Sequence, residues 1–310
     1  MQRRTLLKAA GAGVLWARMP VAGTEEAMLP YPIIDTHVHF WDPSHLSYDW
    51  IRSAEVLNRP CLPEDHAAEA APWVIDKLVF VQAECAREEW NAEAAWVSGL
   101  AKQDPRIRGI VAAAPLEQGD AVLPTLEKLA GDPILRGIRR LIQTEREPGW
   151  CLQPGFVEGV RLLSKVGFTF DFGVNRHQLE DAAELARRCP DVRFMLDHLG
   201  GPDIAGENLD PWRDHLRKLA ELPNVYCKMS GVATAARRHT WTPEEIKPAV
   251  SHALECFGFE RTAFGSDWPV MLLGTSYPQW VEGLLAAVKG CSEAELRRLF
   301  RGTAEDFYRV

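Results

Sequence analysis

The sequence predicts a single α/β domain of the (β/α)8 TIM barrel type, and three observations point there. Eight short apolar runs alternate with roughly eight helical segments after residue 30, which is the arithmetic of a repeated strand–helix unit. Nearly every apolar run ends in polar or titratable side chains, as barrel strands do where they reach a site. No glycine fingerprint follows the first run and no G-x-x-x-x-G-K loop occurs, which removes the main signatures of a doubly wound open sheet. The 310 residues, 46% of them hydrophobic, supply one large core, and a barrel uses about 250 residues as one domain.

The first strand lies in Tyr31-Pro-Ile-Ile-Asp-Thr-His-Val-His-Phe40. Ile33 and Ile34 open it, and Asp35, His37 and His39 follow at alternate positions. Residues two apart on an extended chain face one side, so His37 and His39 can address one point. The same spacing also fits a strand end with one capping and one exposed imidazole. A long polar, aromatic-rich loop from Phe40 to Trp50 comes next, and long loops are more often functional than decorative. Pro63-Glu-Asp-His66 opens a helix. Lys77 to Glu84 is the second strand, ending in Gln82 and Glu84, and Trp90 to Gln103 is helical up to Asp104-Pro105. Arg108 to Pro115 is the third strand, Leu123 to Leu129 a helix, and Leu135 to Gln143 the fourth strand.

The second half repeats the pattern. Helix Gly155 to Val166 leads to strand Phe168 to Gly173, and helix Gln178 to Arg188 to strand Val192 to His198. Helix Pro211 to Glu221 precedes strand Asn224 to Ser230. Thr242-Pro-Glu-Glu245 carries a capping-box pattern with proline at the first helical position, for a helix that stops near Gly258. Thr262 to Pro269 is the eighth strand. Ser292-x-x-Glu295 caps a closing helix that runs towards Phe307.

Residues 1–28 stand apart as an export signal and linker, leaving 29–310 as the barrel. Arg3-Arg4 precedes a mild apolar run, Ala9 to Ala17, and small residues follow at Val21-Ala22-Gly23. That order is the layout of a secretory signal. The adjacent arginines resemble a twin-arginine signal, which places the protein in the periplasm. A basic amphipathic helix on a cytoplasmic protein is the alternative, and Arg18 is awkward for a signal. No segment is long and apolar enough to span a bilayer. A net charge of −8 without a basic stripe argues against nucleic acid or an anionic membrane as partner. The partner expected is a small molecule, with a homo-oligomer left open. Seven cysteines without a C-x-x-C pair argue against a thiolate zinc site, and most read as small buried hydrophobes.

The strand ends then collect the candidate site: His37, His39, Gln82, Glu84, Arg139, Asp171, His198, Lys228, Ser230 and Asp267. Plainer roles exist for each. Glu84 and Asp171 can cap helices or pair with arginines, Lys228 can point outward, and Gly265-Ser-Asp-Trp can be a turn in which Asp267 caps its own backbone. Trp268, Trp150 and the Phe40–Trp50 loop are candidate pocket walls for a polyol.

Asp35-Thr-His-Val-His39, Gly137-Ile-Arg139, Asp197-His-Leu-Gly200 and Phe264-Gly-Ser-Asp-Trp-Pro269 resemble, in order, the motifs of the amidohydrolase superfamily. More narrowly they resemble its "amidohydrolase 2" branch of lactonases and related decarboxylases. The resemblance implies a barrel that hydrolyses lactones of sugar acids or of dicarboxylic aromatic breakdown products. It places the catalytic residues at His37, His39, His198 and Asp267 and the substrate-gripping arginine at Arg139. Gln82, Lys228, Asp171 and Trp268 are the further substrate contacts expected. Members with two tightly held zincs carry a lysine or glutamate after strand four and a histidine after strand five. Here those places hold Arg139-Arg140 and Asp171-Phe-Gly, so a binuclear site is not expected. Either no metal or one divalent ion, zinc by its ligand chemistry, is expected, on His37, His39, Asp267 and Glu84. His198 is an alternative ligand.

The expected reaction has Asp267 taking a proton from water, Arg139 with Lys228 gripping the substrate, and the histidines stabilising the oxyanion. Asp267 or His198 then protonates the departing ring oxygen. The rival readings are a metal-dependent decarboxylase or lactone isomerase on the same barrel, and a catalytically silent barrel that binds a sugar acid.

Overall fold

The computed structural model describes residues 29–310. The export signal expected at residues 1–28 lies outside the described residues. Eight parallel strands form one sheet in sequential order: β1 (Ile33–Val38), β2 (Ile75–Val81), β3 (Ile107–Ala112), β4 (Leu135–Arg139), β5 (Thr169–Phe172), β6 (Phe194–Leu196), β7 (Val225–Met229) and β8 (Thr262–Phe264). The two ends of the sheet meet where β1 and the segment after β8 exchange backbone hydrogen bonds. Asp267 N donates to His37 O at 2.8 Å, and His39 N donates to Trp268 O at 2.7 Å. The barrel is thus closed through three of the residues that carry the candidate chemistry.

The main covering helices follow their strands: α1 (Pro63–Ala70), α2 (Trp90–Ala101), α3 (Leu123–Ala130), α4 (Pro154–Val166), α5 (Leu179–Arg188), α6 (Trp212–Ala220), the short α7 (Val232–Ala235), α8 (Pro243–Phe257) and α9 (Tyr277–Ala287). Proline stands at the first or second position of α1, α3, α4, α8 and α9, where its missing N–H costs no hydrogen bond. α9 is a helix that the sequence pattern did not announce. Its start is set by Ser276, whose hydroxyl accepts from Gln279 N, the ordinary serine cap. The closing helix is not continuous. It runs as α10 (Glu293–Arg297), a π-helical turn (Arg298–Gly302) and α11 (Thr303–Tyr308). Phe307 and Tyr308 of α11 pack against Val79, Val81, Val111, Met195 and Ala263, so the end of the chain lies against residues contributed by β2, β3, β6 and β8.

The strands stop sooner than their apolar runs imply. Gln82, Glu84, Gln143, His198, Ser230 and Asp267 lie beyond the ladder, in the loops. Glu84, His198 and Asp267 take left-handed backbone, with φ of 57°, 54° and 68°. Non-glycine residues visit that region rarely, and such residues cluster where a fold over-determines them.

Candidate active site

Asp267 sits at the rim of the barrel with three imidazoles turned towards one of its oxygens. His39 Nε2 is 3.4 Å from Asp267 Oδ1, His37 Nε2 3.6 Å and His198 Nε2 3.9 Å. His37 is fully buried and His39 nearly so, while His198 is 27% exposed at its side chain. Close approach of the backbone makes this packing work. A Cβ on Gly265 would stand 2.8 Å from His37 Cβ, and one on Gly231, at φ 63°, 2.6 Å from His198 Nδ1. Only glycine fits at either place.

The environment sets the proton positions. His39 Nδ1 lies 2.7 Å from Val81 O; a carbonyl can only accept, so the proton is on Nδ1 and Nε2 presents a lone pair to Asp267. Arg139, an obligate donor, lies 3.3 Å from His37 Nε2, so that nitrogen accepts; Lys228 Nζ is 3.2 Å from Nδ1 but directs its protons to Asp171 and Asp197. With its proton on Nδ1, His37 donates to Asp197 Oδ1 at 3.3 Å and leaves Nε2 as a second lone pair beside Asp267. His198 Nδ1 lies 3.0 Å from Ser230 Oγ. Burial pushes all three histidines below their ordinary range, His39 to about 3, so each is neutral at pH 7. Burial raises the Asp267 carboxyl to about 6, against the pull of His198 and Arg139. Lone pairs and a carboxylate thus converge on one point, which a cation or a proton resolves. Separations of 3.4–3.9 Å bracket the spacing of two ligands held at about 2.0–2.2 Å by one zinc ion. The residues fit a metal, and His37, His198 and Asp267 offer ligand atoms within 4.8 Å of one another.

Beneath this cluster lies a buried ionic lattice. Lys228 Nζ is 2.8 Å from Asp171 Oδ2 and 2.9 Å from Asp197 Oδ1, all three side chains being inaccessible. Burial alone would lower the Lys228 pKa, but the two carboxylates hold it above the ordinary lysine value. Burial opposes ionisation of Asp197 as well, yet Lys228 and His37 keep it well below the usual carboxylate range. Arg139 Nη1 adds a contact to Asp197 Oδ2 at 3.2 Å, and its Nη2 donates to Gln82 O. Tyr308 from the C-terminal helix donates to Asp171 Oδ2 at 2.7 Å.

Two adjoining chambers, with Trp50, Glu84, Arg139 and Leu141 in common, lie above. The inner one, about 160 Å³, is lined by His39, Glu84, Arg139, Gln143, His198 and Asp267 among others. The outer one, about 470 Å³, includes Asp49, Trp50, Gln82, Glu84, Arg87 and Arg139. The structure therefore brings together His37, His39, His198, Asp267 and Arg139. Gln82 and Glu84 line the chambers; the ligand atoms within 4.8 Å of one another belong to His37, His198 and Asp267, so of the expected metal ligands neither Glu84 nor His39 is in that set.

Three expectations need correction. Lys228 and Asp171 are sealed beneath His37 and meet each other rather than a ligand in the chambers. Trp268 is fully buried against Phe40 and His66, with Nε1 3.2 Å from Glu69, and plugs the core rather than walling a pocket. Trp150, partly buried, has the Arg140 guanidinium over its ring and meets Phe156 at a tilt of 57°, and lines neither chamber.

Sequence reasoning missed Asp197 and Asp35 as site residues. Asp35 Oδ1 accepts from His37 N and Ser266 N, and Oδ2 from Tyr277 OH, tying the histidine strand to the turn before Asp267. Alternation was the available signal. Asp35 shares a face with His37, and Asp197 with the interior residue Met195.

Residues 34–310 match the family model described as Amidohydrolase. An L-fucono-1,5-lactonase of Burkholderia multivorans is 32% identical over 296 residues, covering 89% of this chain and 95% of that protein. An L-rhamnono-gamma-lactonase of Scheffersomyces stipitis is 27% identical over 202 residues, 57% of this chain and 60% of that one. Among solved structures, an amidohydrolase from Burkholderia multivorans with bound zinc is 31% identical. It superposes with a TM-score of 0.80 over 90% of this chain and 100% of its own.

Proposed function

The chain belongs to the amidohydrolase family, and on that premise we propose that it is a hydrolase that opens the lactone ring of a sugar acid. The observation that carries this reading is the approach of three neutral imidazoles to one oxygen of Asp267, at 3.4–3.9 Å, where Asp267, His39 and His198 line a small pocket beside Arg139. The lactonases among its relatives support the substrate class.

Asp267 is the proton carrier. A carboxyl raised to about 6 is ionised above that pH yet is a stronger base than an ordinary carboxylate, which suits it to accept a proton from water near neutrality. The water oxygen bonds to the ring carbonyl carbon, and the carbonyl becomes an oxyanion. Collapse breaks the ring C–O bond, and Asp267 returns the proton to the departing ring oxygen. Arg139 faces the oxyanion. Its contacts to Asp197, His37 and Gln82 O fix the guanidinium, and a guanidinium held in place stabilises developing charge without reorganising.

His39 cannot donate to an oxyanion from Nε2, because its proton is held by Val81 O; its Nε2 lone pair accepts from Asp267 while that carboxyl is protonated, or serves as a ligand. His37, His198 and Asp267, with His39 beside them, would hold one divalent ion, zinc by this nitrogen and carboxylate set. Bound there, zinc would supply positive charge to polarise the carbonyl and to acidify a water. Ester hydrolysis above the uncatalysed rate, followed with a pH indicator over aldono- and aldarolactones, tests the reading. Turnover of one stereochemical set is expected. Silence over the whole panel would overturn it in favour of a decarboxylase, an isomerase or a binding barrel.

A further inference from the structure

We propose that the outer chamber is a subsite for a neutral sugar unit, so that the substrate is a glycosylated aldonolactone rather than a lone lactone ring. The inference rests on the lactonase reading above. It starts from size. The inner chamber of about 160 Å³ takes a single small ring, whereas the outer one is nearly three times as large at about 470 Å³. The two share Trp50, Glu84, Arg139 and Leu141, so the chambers adjoin at these residues and a substituent on a ring seated at Asp267 is directed past them toward the larger space.

The carbonyl must sit against Asp267, His39 and His198. The far edge of the ring then faces the four shared residues, and a substituent on the ring carbons remote from the carbonyl enters the outer chamber.

The chemistry of the lining selects what that substituent is. Arg87, Arg139 and Arg140 are matched there by Asp49, Glu84 and Glu145. The arginines are already engaged: Arg140 with Glu117 and Glu145, Arg87 with Glu117 at 3.0 Å, and Arg139 with Asp197 at 3.2 Å. An added carboxylate or phosphate would meet balanced charge and gain little. A hydroxyl group, by contrast, finds fixed donors and acceptors side by side. Trp50, 37% exposed, has its indole N–H committed to Ala83 O at 2.9 Å. Its ring is therefore held at the junction of the chambers and offers an apolar face to a pyranose. A rigid aromatic face among mixed hydrogen-bonding groups of no net charge suits a neutral sugar.

The test compares kcat/KM of the full chain on matched lactones with and without a 4-linked glucosyl or galactosyl group, and on an aldarolactone. The glycosylated lactone is expected to be favoured by at least about tenfold, the worth of one or two retained hydrogen bonds. Thr144 is exposed and lines only the outer chamber. Thr144→Trp is expected to fill that space and bring the glycosylated-to-plain ratio back to about one. Equal or faster turnover of the plain lactone overturns the subsite and leaves the lactonase reading standing. A preference that survives Thr144→Trp overturns its placement in this chamber, and preference for the aldarolactone overturns its neutral character. No turnover of any lactone overturns the underlying reading instead.

Discussion

Replacing Asp267 by asparagine removes the proton carrier, together with the anionic ligand a metal would use there, and keeps the backbone in place. The backbone roles survive, because Asp267 N still donates to His37 O and its carbonyl still accepts from Met271 N, both at 2.8 Å. The φ of 68° is a conformation asparagine tolerates about as well as aspartate, whereas alanine would add about 1–2 kcal/mol of strain. The fold should therefore hold, with an unchanged circular dichroism spectrum and thermal midpoint. What is lost is the ability to take a proton from water, and positioned proton transfer is worth about 10²–10⁴ in rate, or about 3–5 kcal/mol. The expectation is a fall of that size in kcat with little change in KM, read by continuous pH-indicator assay on the best lactone. In the parent enzyme kcat/KM should decline on the acid side as this carboxyl protonates, since only the ionised form is a base; without metal the inflection lies at about 6, the value to which burial raises it, and a bound cation would move it lower. In Asp267→Asn the residual rate should lose that inflection. Retention of more than about a tenth of kcat would remove Asp267 from the chemistry, because a proton carrier contributes at least about a hundredfold.

Lys228→Met should leave Asp171 and Asp197 facing each other without their shared cation and cost about 3–5 kcal/mol. The urea midpoint should fall by about 1–2 M, and Asp171→Asn in the same background should recover part of it; a loss below about 1 kcal/mol would refute the lattice as described. Burial raises Glu93 to about 7 against Ala83 N and Tyr48 OH. A folded pKa above the unfolded one means full stability in acid, lost as pH climbs towards and through 7, by up to about 3 kcal/mol at pH 8. Glu93→Gln keeps both hydrogen bonds, so it should raise the thermal midpoint at pH 8 and leave it nearly unchanged at pH 4. Equal effects at both pH values would contradict this. Metal analysis should find one zinc per chain, with turnover lost to chelator and restored by zinc; full activity of a metal-free preparation would leave Asp267 to carry the proton without a metal beside it.

Much of the fold was legible in the chain. Strand periodicity, prolines at helix starts and serine caps are local signals, and they located each strand and all but two of the covering helices, α9 and the short α7. The site was legible in outline for a related reason. Barrel strands deliver their C-terminal residues to one mouth, so listing polar strand ends lists candidates. His37, His39, His198, Asp267 and Arg139 came from that rule and from motif resemblance, and the structure assembles them.

The remainder depended on distance across the barrel. Lys228 and Asp171, both at strand ends, look from the sequence as available to a substrate as Arg139 does. Only the packing of β5, β6 and β7 puts them a layer lower, where an ion pair with Asp197 seals them under His37. Trp268 lies next to Asp267 in sequence but turns into the core, because the chain at Asp267 adopts left-handed backbone and re-aims the residue after it. Composition and periodicity determined which side chains the strand ends carry. Tertiary structure decided which of them reach the pocket and at what pKa, because burial and partners more than 50 residues away, such as Lys228 for Asp171, set both solvation and charge.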